Sequence, residues 1–248
     1  MSPFILFLCS LGLLAGSTVK GVVGIGMPLV AVPILTMLVN LKTAVTLTTV
    51  PVTAANLVQS FQGGRFIPML RRFWTLLLPL LFTILFSVRL LVVLPERLLD
   101  LIIGLAVIAF PVFVSLRPAV RLPPRHEAWL NPLVGVAAGL LGGISTFYGP
   151  PLMLYVFGMR LSKEEFIPAI SIMYVTAGVG LLLGLWVMGV ASHAELGLSV
   201  LMLIPTGIGM WLGRYVHVQL NERAFQRVLL CVYIATGLTF LANAALRG

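Results

Sequence analysis

The stretch GSTVKGVVGIGMP (16–28) decides how this chain folds. It lies between two strongly apolar arms, FILFLCSLGLLA (4–15) and LVAVPILTMLV (29–39). Lys20 is in its middle, and it is surrounded by glycine and proline, the residues that most readily interrupt a helix. The stretch therefore predicts an apolar segment that is broken near its centre and carries one charge at the break.

The amino-acid composition indicates the environment in which this chain folds. The chain has 248 residues, of which 60% are hydrophobic and 9% are charged. Soluble domains carry roughly 25% charged residues, and apolar stretches of membrane-spanning length recur along this chain. We therefore expect an all-α polytopic membrane protein in contact with the lipid bilayer. The first segment has neither the basic start nor the cleavage site of a signal peptide, so we expect it to be retained.

The charges and the cysteines exclude other classes of partner. The net charge of +9 comes from basic residues that are scattered over short loops. We interpret them as determinants of topology and expect no nucleic-acid partner. Cys9 and Cys231 lie far apart in apolar segments, and the three histidines have no metal-like spacing. We therefore expect no metal site and no cofactor.

The broken segment occurs twice. GLLAGSTVKGVVGIGMPL (12–29) aligns without gaps with GVAAGLLGGISTFYGPPL (135–152), and six positions are identical. Single glycine and proline matches are common in membrane helices, but the order and spacing of these matches indicate a duplication. Two further matches are Pro79 with Pro205 and LPER (94–97) with LNER (220–223).

The duplication predicts the domain organisation. We expect one integral membrane domain made of a first repeat at 1–116 and a second repeat at 131–248. A proline-rich, basic linker at 117–130 joins them. Each repeat begins with the broken segment and continues with three ordinary membrane helices. These helices are predicted near 43–62, 73–94, 97–116, 166–188, 196–216 and 224–245.

The distribution of lysine and arginine distinguishes between topologies. If each broken segment crossed the bilayer once, the loop charges would divide seven to eight and the repeats would be parallel. A re-entrant hairpin that returns to its own side divides them eleven to four, which fits the usual cytoplasmic excess of positive charge. Two full crossings give the same division, but residues 131–159 are too few for them. We therefore predict two inverted repeats, each a re-entrant hairpin plus three transmembrane helices, with both termini outside and the linker cytoplasmic.

Inverted repeats with discontinuous helices are a transporter architecture. The two hairpin tips would meet near the middle of the bilayer, where the N-termini of the second arms attract an anion. Pro28 and Pro151 suit early positions in those arms. Lys20 would face the anion, because no acidic residue is evidently placed to neutralise it. No buried carboxylate stands out as a proton carrier, so the coupling of transport is left open. The alternative for Lys20 is a side chain that snorkels to the headgroups.

Hydroxyl groups at the second tip suit an oxyanion. Capping of the helix end is the alternative role for Ser145 and Thr146, and packing is the alternative for Tyr148. The predicted substrate-binding residues are Lys20, Gly21, Gly24, Gly26, Asn56, Ser145, Thr146, Tyr148 and Gly149.

A polar face on the helix near 43–62 supplies Asn56 as a candidate. Such a face lines a permeation path or bonds helices to each other, and we favour the path for Asn56 but not for Ser60. The corresponding helix of the second repeat carries a less regular polar set. The first face is Thr46, Thr49, Thr53, Asn56 and Ser60, and the second set is Ser171, Tyr174 and Thr176.

Two segments carry a resemblance to a known family. GLLAGSTVKGVVGIGMPLVAVPIL (12–35) and GVAAGLLGGISTFYGPPLMLY (135–155), with the basic linker between them, resemble the TauE/SafE family of sulfite exporter-like membrane proteins. The resemblance implies transport of small sulfur-containing anions such as sulfite, sulfoacetate or thiosulfate across a bacterial-type inner membrane. Family members commonly carry a plainer run of glycines at the first tip, so TVKGVVGIG departs from their pattern at Lys20.

These observations favour a secondary transporter that exports a small sulfur-containing oxyanion, such as sulfite or an organosulfonate. No ATP-binding motif is present, so an ion gradient or the substrate gradient would drive transport. An intramembrane enzyme is disfavoured because GxSxG, HExxH and central clusters of Asp or His are missing. A transporter or channel for another small organic anion and a non-transporting membrane assembly partner remain alternatives, and the oligomeric state is left open.

Overall fold

Helices account for all regular secondary structure in the described part of the chain. The computed structural model describes residues 1–116, 122–123, 126–159, 161–217 and 222–246. The predicted all-helical architecture is confirmed. The helices are α1 (Pro3–Val23), α2 (Met27–Thr36), α3 (Leu41–Ser60), α4 (Phe66–Val93), α5 (Glu96–Leu116), α6 (Glu127–Ser145), α7 (Gly149–Met159), α8 (Lys163–Val187), α9 (His193–Leu201), α10 (Leu203–His217) and α11 (Glu222–Leu246).

The helices differ in their ability to cross a membrane. α2 has 10 residues and α7 has 11, so each is about 15 Å long, half of the roughly 30 Å hydrocarbon core. Among the described residues, five stretches are long and apolar enough to cross. They are Pro3–Val22, Phe66–Val93, Glu127–Ser145, Glu164–Val187 and His193–Tyr215.

The first arm of each broken segment is longer than the half-depth arm that the sequence predicts. α1 begins at Pro3, where the Ser2 hydroxyl accepts a hydrogen bond from the Ile5 N–H at 3.3 Å. α6 begins at Glu127, inside the predicted linker, because its polar first turn is held by Arg72 of α4. The second arms, α2 and α7, have the predicted length.

The ordinary helices lie close to their predicted positions, with two differences. α4 begins at Phe66, earlier than predicted, because Pro68 falls in the first turn, where a missing N–H leaves no carbonyl unpaired. The helix predicted after α8 is divided at Met202 into α9 and α10. Pro205 explains the division, since it cannot donate to the Leu201 carbonyl and its ring crowds that group.

The first broken segment folds as an antiparallel helical hairpin. Gly16 of α1 lies against Met27 at the start of α2, and Gly12 lies against Leu35 near its end. A Cβ added at Gly16 would lie 2.7 Å from the Met27 carbonyl oxygen, so only glycine permits this approach. α2 therefore returns along α1 instead of continuing in its direction.

The second broken segment folds in the same way. Near the tip, Gly142 of α6 lies against Tyr148, which precedes α7. At the other end, the Tyr155 hydroxyl of α7 donates to Asn131 Oδ1 at 2.5 Å, and Asn131 Nδ2 donates to Thr75 Oγ1 of α4 at 2.7 Å. The buried Tyr155–Asn131 hydrogen bond joins α7 to the start of α6, so the two helices are antiparallel, and the Asn131–Thr75 hydrogen bond joins α6 to α4.

The chain divides into two units, and each contains helices from both halves of the sequence. Unit 1 is Met1–Val52, Pro95–Pro111 and Ala191–Gly248, and unit 2 is Thr53–Leu94 and Val112–Val190. Small residues bring helices of the two halves together within each unit.

In unit 1, α1 runs parallel to α10. Gly209 lies against Ser17, and Gly213, one turn later in α10, lies against Gly21, one turn later in α1. A Cβ added at Gly213 would lie 2.7 Å from the Gly21 Cα, so both glycines are needed for this contact. Parallel contact through small residues is a common way for membrane helices to pack.

Also in unit 1, α5 runs antiparallel to α11. Gly104 of α5 lies against Leu241, and Ile108, one turn later, lies against Gly237, one turn earlier in α11.

In unit 2, α4 runs parallel to both α6 and α8. Along α6, Gly135 lies against Leu76 and Gly143 lies against Ser87. Along α8, glycines one turn apart follow α4 in the same order, Gly180 against Leu81 and Ile84 and Gly184 against Leu85 and Val88.

Hydroxyl groups from other helices bind carbonyls that prolines leave without a partner. Pro51 has no N–H to donate to the Leu47 carbonyl of α3. The Ser199 hydroxyl of α9 lies 3.0 Å from that oxygen and 2.8 Å from the Thr46 carbonyl oxygen. The same arrangement recurs in α2, where Pro33 leaves the Leu29 carbonyl without its helical partner and the Thr236 hydroxyl of α11 donates to it.

Candidate functional site

The first hairpin tip buries a lysine. Lys20 lies in the last turn of α1 and is 1% exposed. Its Nζ donates to the Gly24 carbonyl oxygen at 3.2 Å, and the Gly24 N–H donates to the Lys20 carbonyl. Gly24 ends α1 in the left-handed conformation, with φ of 84°. The negative end of the α1 dipole stabilises the ammonium at this position, so the charge is held at the break between the arms.

The start of α2 offers one backbone donor. Gly26 precedes α2 with φ of 90°, and Pro28 has no N–H. The Met27 N–H therefore stands at the first turn without an acceptor in its own helix. Gly21 has a different role, because a Cβ there would lie 2.6 Å from the Met210 carbonyl of α10. The structure thus places Gly24 and Gly26 at the tip and Gly21 in a helix contact.

At the second tip, the hydroxyls of Ser145 and Thr146 are both directed at the backbone. Ser145 Oγ donates to the Leu141 carbonyl at 2.6 Å and accepts from the Phe147 N–H at 3.1 Å. Thr146 Oγ1 donates to the Ser145 carbonyl, and Thr146 is the one non-glycine residue with positive φ in the described part of the chain. These contacts match the capping alternative for both residues.

The start of α7 is poorer in N–H donors than the sequence suggests. α7 begins at Gly149, and the next two residues are Pro150 and Pro151. Of the first three helical positions only Gly149 has an N–H, although the helix dipole still makes this end positive. Tyr148, directly before α7, is 1% exposed. Its phenol is therefore the remaining buried polar group of the tip.

A polar group on α8 adjoins the second tip. The Tyr174 ring meets the Tyr148 ring edge to face, with centroids 4.9 Å apart, and Tyr174 is 4% exposed. Ser171 lies one turn earlier on the same face of α8 and is fully buried. Among the described residues, Ser171 Oγ has no hydrogen-bond partner. The sequence indicates the polar set of this helix, but none of its residues is among the predicted substrate-binding residues. The spacing of Ser171 and Tyr174 on one helix face is the signal that points to them.

The polar face of α3 is mostly satisfied within its own helix. The hydroxyls of Thr46, Thr49 and Ser60 donate to carbonyls of the preceding turn, at 2.7 to 2.9 Å. Asn56 is 1% exposed and belongs to the part of α3 in unit 2, whereas Lys20 belongs to unit 1. The polar face of α3 therefore offers few hydroxyl donors to a solute, because most of its hydroxyls donate to carbonyls of α3 itself.

Asp100 is a buried carboxylate that the sequence did not reveal. It lies in the second turn of α5, in unit 1, and is 1% exposed. Gly104, one turn later, packs on α11, so Asp100 lies on the same face of α5. The expectation that no buried carboxylate stands out is wrong, because proximity to a helix end in the sequence does not make a residue exposed.

Ion pairs join the starts of three helices in unit 2. Arg72 of α4 donates to both carboxylate oxygens of Glu127 in α6, from Nε at 3.2 Å and from Nη2 at 2.7 Å. Arg65 lies 3.7 Å from Glu164 and 3.9 Å from Glu165, both in α8. The starts of α4, α6 and α8 therefore lie at one end of unit 2.

Comparison with protein families gives a match over nearly the whole chain. The family model described as Sulfite exporter TauE/SafE matches residues 8–240. Comparisons with curated proteins and with solved structures found no significant match. Within the described residues, no group of three or more His, Cys, Asp or Glu side chains is placed to hold a metal ion. The matched range contains both tips, the whole second hairpin and the first hairpin from residue 8 onward.

Proposed function

Because this chain belongs to the TauE/SafE family of sulfite exporters, we propose that it is a secondary transporter that exports a small sulfur-containing oxyanion. Membership makes it a multi-pass membrane transporter and not an enzyme. Sulfite or an organosulfonate is the proposed substrate, and the inner (plasma) membrane of a bacterial-type cell is the proposed location.

The buried ammonium of Lys20 carries this proposal. A charged group inside an apolar segment is costly, so its retention at a hairpin tip needs a function. The adjacent start of α2 adds the Met27 N–H and the positive end of a helix dipole. A cation beside a helix N-terminus is a favourable environment for an oxyanion, and it selects against cations and neutral solutes.

The helix directions support an inverted repeat. The sequence matches pair α5 with α11, and these two helices run antiparallel, as counterparts in inverted repeats must. Counterparts in parallel repeats would run in the same direction. α4 and α8 also run parallel, whereas a single crossing by each broken segment would make them antiparallel. With three net crossings per repeat, both termini lie outside and the linker is cytoplasmic.

The sequence predicts substrate-binding residues at each tip, and we propose these residues for the anion. Lys20, Gly24 and Gly26 form the first tip, and Tyr148 and Gly149 supply donors at the second. Ser145 and Thr146 would shape the second tip through their backbone contacts. Asn56 keeps its proposed place on the permeation path.

Anion flux into liposomes tests the proposal. The purified protein is reconstituted, and uptake of sulfite, sulfoacetate, thiosulfate, acetate and chloride is compared. We expect saturable flux of at least one sulfur-containing anion, and we expect Lys20→Gln to reduce it by about tenfold or more. Lys42→Gln, which removes a lysine at the start of α3, is the matched control and should transport like the wild type.

Two results would overturn the proposal. One is a wild-type protein that moves none of the sulfur-containing anions. The other is a folded Lys20→Gln variant that moves them as fast as the wild type. Flux that does not saturate with concentration would indicate a channel in place of a transporter.

A further inference from the structure

Among the described residues, the Ser171 hydroxyl differs from buried threonine hydroxyls in other helices. A serine or threonine in a helix ordinarily donates to the carbonyl one turn earlier. Thr48, Thr49 and Thr206 do so, at 2.7 to 2.9 Å. Ser171 Oγ is fully buried, and within the described part of the chain no partner binds it. An unsatisfied buried hydroxyl is unfavourable, so such a group in a native protein calls for an explanation.

Thr48, the equivalent residue of the first repeat, has hydrogen-bond partners that Ser171 lacks among the described residues. The register that pairs Gly12 with Gly135 also pairs Thr48 with Ser171 and aligns VTA (52–54) with VTA (175–177). The Thr48 hydroxyl is within 3.0 Å of the carbonyl oxygens of the preceding turn. Only the second repeat therefore leaves its hydroxyl at this position available.

Two ring contacts place Ser171 along α7. Tyr148 meets Tyr174 just before α7 begins, and Phe157 near its end stacks on Phe166 with centroids 5.4 Å apart. α7 and α8 are therefore antiparallel neighbours. Along α8, Ser171 lies between the two contacts and one turn from Tyr174, so it is level with the first turn of α7.

The first turn of α7 needs donors from another helix. Pro150 and Pro151 remove two of its three N–H groups, while the helix dipole still attracts negative charge. Ser171 and Tyr174 are level with this turn, Tyr148 directly precedes it, and the hydroxyls of all three are neutral donors. Neutral donors bind an oxyanion without adding a second fixed charge, which suits a site that must also release its ligand.

We propose that the hydroxyls of Ser171, Tyr174 and Tyr148 form an oxygen-binding subsite for the transported oxyanion at the first turn of α7. This inference rests on the proposed function and deepens it. The hydroxyl subsite of unit 2 would recognise oxygen atoms of the anion at the second tip.

The first test separates substrate binding from stability. Ser171→Ala removes no hydrogen bond of the free protein, so its unfolding temperature should equal or exceed that of the wild type. The same substitution should raise the KM of flux about tenfold, because one bond to a charged ligand is lost. Thr48→Val, at the equivalent position of the first repeat, is the matched control and should leave the KM unchanged. An unchanged KM in Ser171→Ala, or a lowered unfolding temperature, contradicts the proposal.

The second test does not depend on transport. Ser171→Cys is made in a Cys9→Ala, Cys231→Ala background and exposed to a negatively charged methanethiosulfonate in liposomes. We expect labelling that is slowed by sulfoacetate, a sulfonate that does not react with the reagent. Ala177→Cys, equally buried on the same helix, should not be labelled. Absence of labelling at position 171 overturns the subsite.

Failure of the subsite and failure of the proposed function give different results. If Lys20→Gln abolishes flux while Ser171→Ala keeps the wild-type KM, the transporter stands and the subsite is wrong. If no sulfur-containing anion is transported but acetate slows labelling of Ser171→Cys, the subsite stands and the proposed substrate is wrong.

Discussion

Replacement of Ser199 by alanine tests whether its hydroxyl substitutes for the N–H that Pro51 lacks. Ser199 is fully buried, and its Oγ lies 3.0 Å from the Leu47 carbonyl oxygen. Ser199→Ala leaves that carbonyl without a partner in a water-free position. The expected cost is about 1–3 kcal/mol of unfolding free energy, the usual value for an unsatisfied buried group.

A double-mutant cycle with Pro51→Ala identifies the cause of this cost. Alanine at position 51 restores an N–H that donates to the Leu47 carbonyl within α3. In that background, Ser199→Ala should cost about 1 kcal/mol less than in the wild type. Unfolding of the detergent-solubilised protein in increasing denaturant, followed by helical circular dichroism, measures the four free energies.

Thr206→Val is the control for loss of a buried hydroxyl. Its hydroxyl donates to the Met202 carbonyl, which already accepts the Thr206 N–H at 3.3 Å. This substitution leaves no carbonyl unpaired and should change the unfolding free energy by less than about 0.5 kcal/mol. An equal cost of Ser199→Ala with and without Pro51 would refute the reasoning.

Three more substitutions test the packing and the ion pairs of the helices. Gly135→Ala should lower the unfolding free energy by about 1–3 kcal/mol, because the added Cβ would overlap with the Leu76 carbonyl oxygen. A Cβ added at Gly207 would meet nothing within 4 Å among the described residues, so Gly207→Ala should leave the unfolding free energy unchanged or raise it by up to about 1 kcal/mol in the same denaturant unfolding assay. A loss equal to that of Gly135→Ala would contradict this packing. Arg72→Lys should lower it by at most about 1 kcal/mol at low salt, since Arg72 is 34% exposed and Glu127 19%. That effect should shrink at high salt, and an effect independent of salt would argue against an ion pair.

Local patterns predicted the helices and the two breaks. Apolar runs of the right length mark the spanning helices, and Gly24 and Gly26 mark the first tip because both adopt positive φ. The sequence indicates that the two broken segments are repeats, because glycine and proline occur in the same order and spacing in both. The lengths of the hairpin arms were harder to predict from the sequence. The polar start of α6, for example, depends on Arg72, a residue of another helix.

Contacts between distant residues explain what the sequence did not reveal. Ser199 and Leu47 are 152 residues apart, so nothing near Ser199 indicates that it binds a carbonyl freed by Pro51. Burial of Asp100 likewise depends on the packing of α5 in unit 1, which its neighbours in the sequence do not indicate. The residues of the second tip indicated hydroxyl donors, but the sequence does not show which acceptor each hydroxyl faces, because that depends on the side-chain rotamer. Ser145 turns to its own backbone, whereas Ser171 does not.

Equilibrium binding of sulfite to the purified protein tests the central claim most directly. The dissociation constant is measured by calorimetry for the wild type and for Lys20→Gln, with equal unfolding temperatures as proof of folding. A buried ammonium that binds the anion predicts a dissociation constant at least about tenfold higher in the variant, or about 1.4 kcal/mol. Equal dissociation constants in the two proteins would show that Lys20 does not bind the substrate.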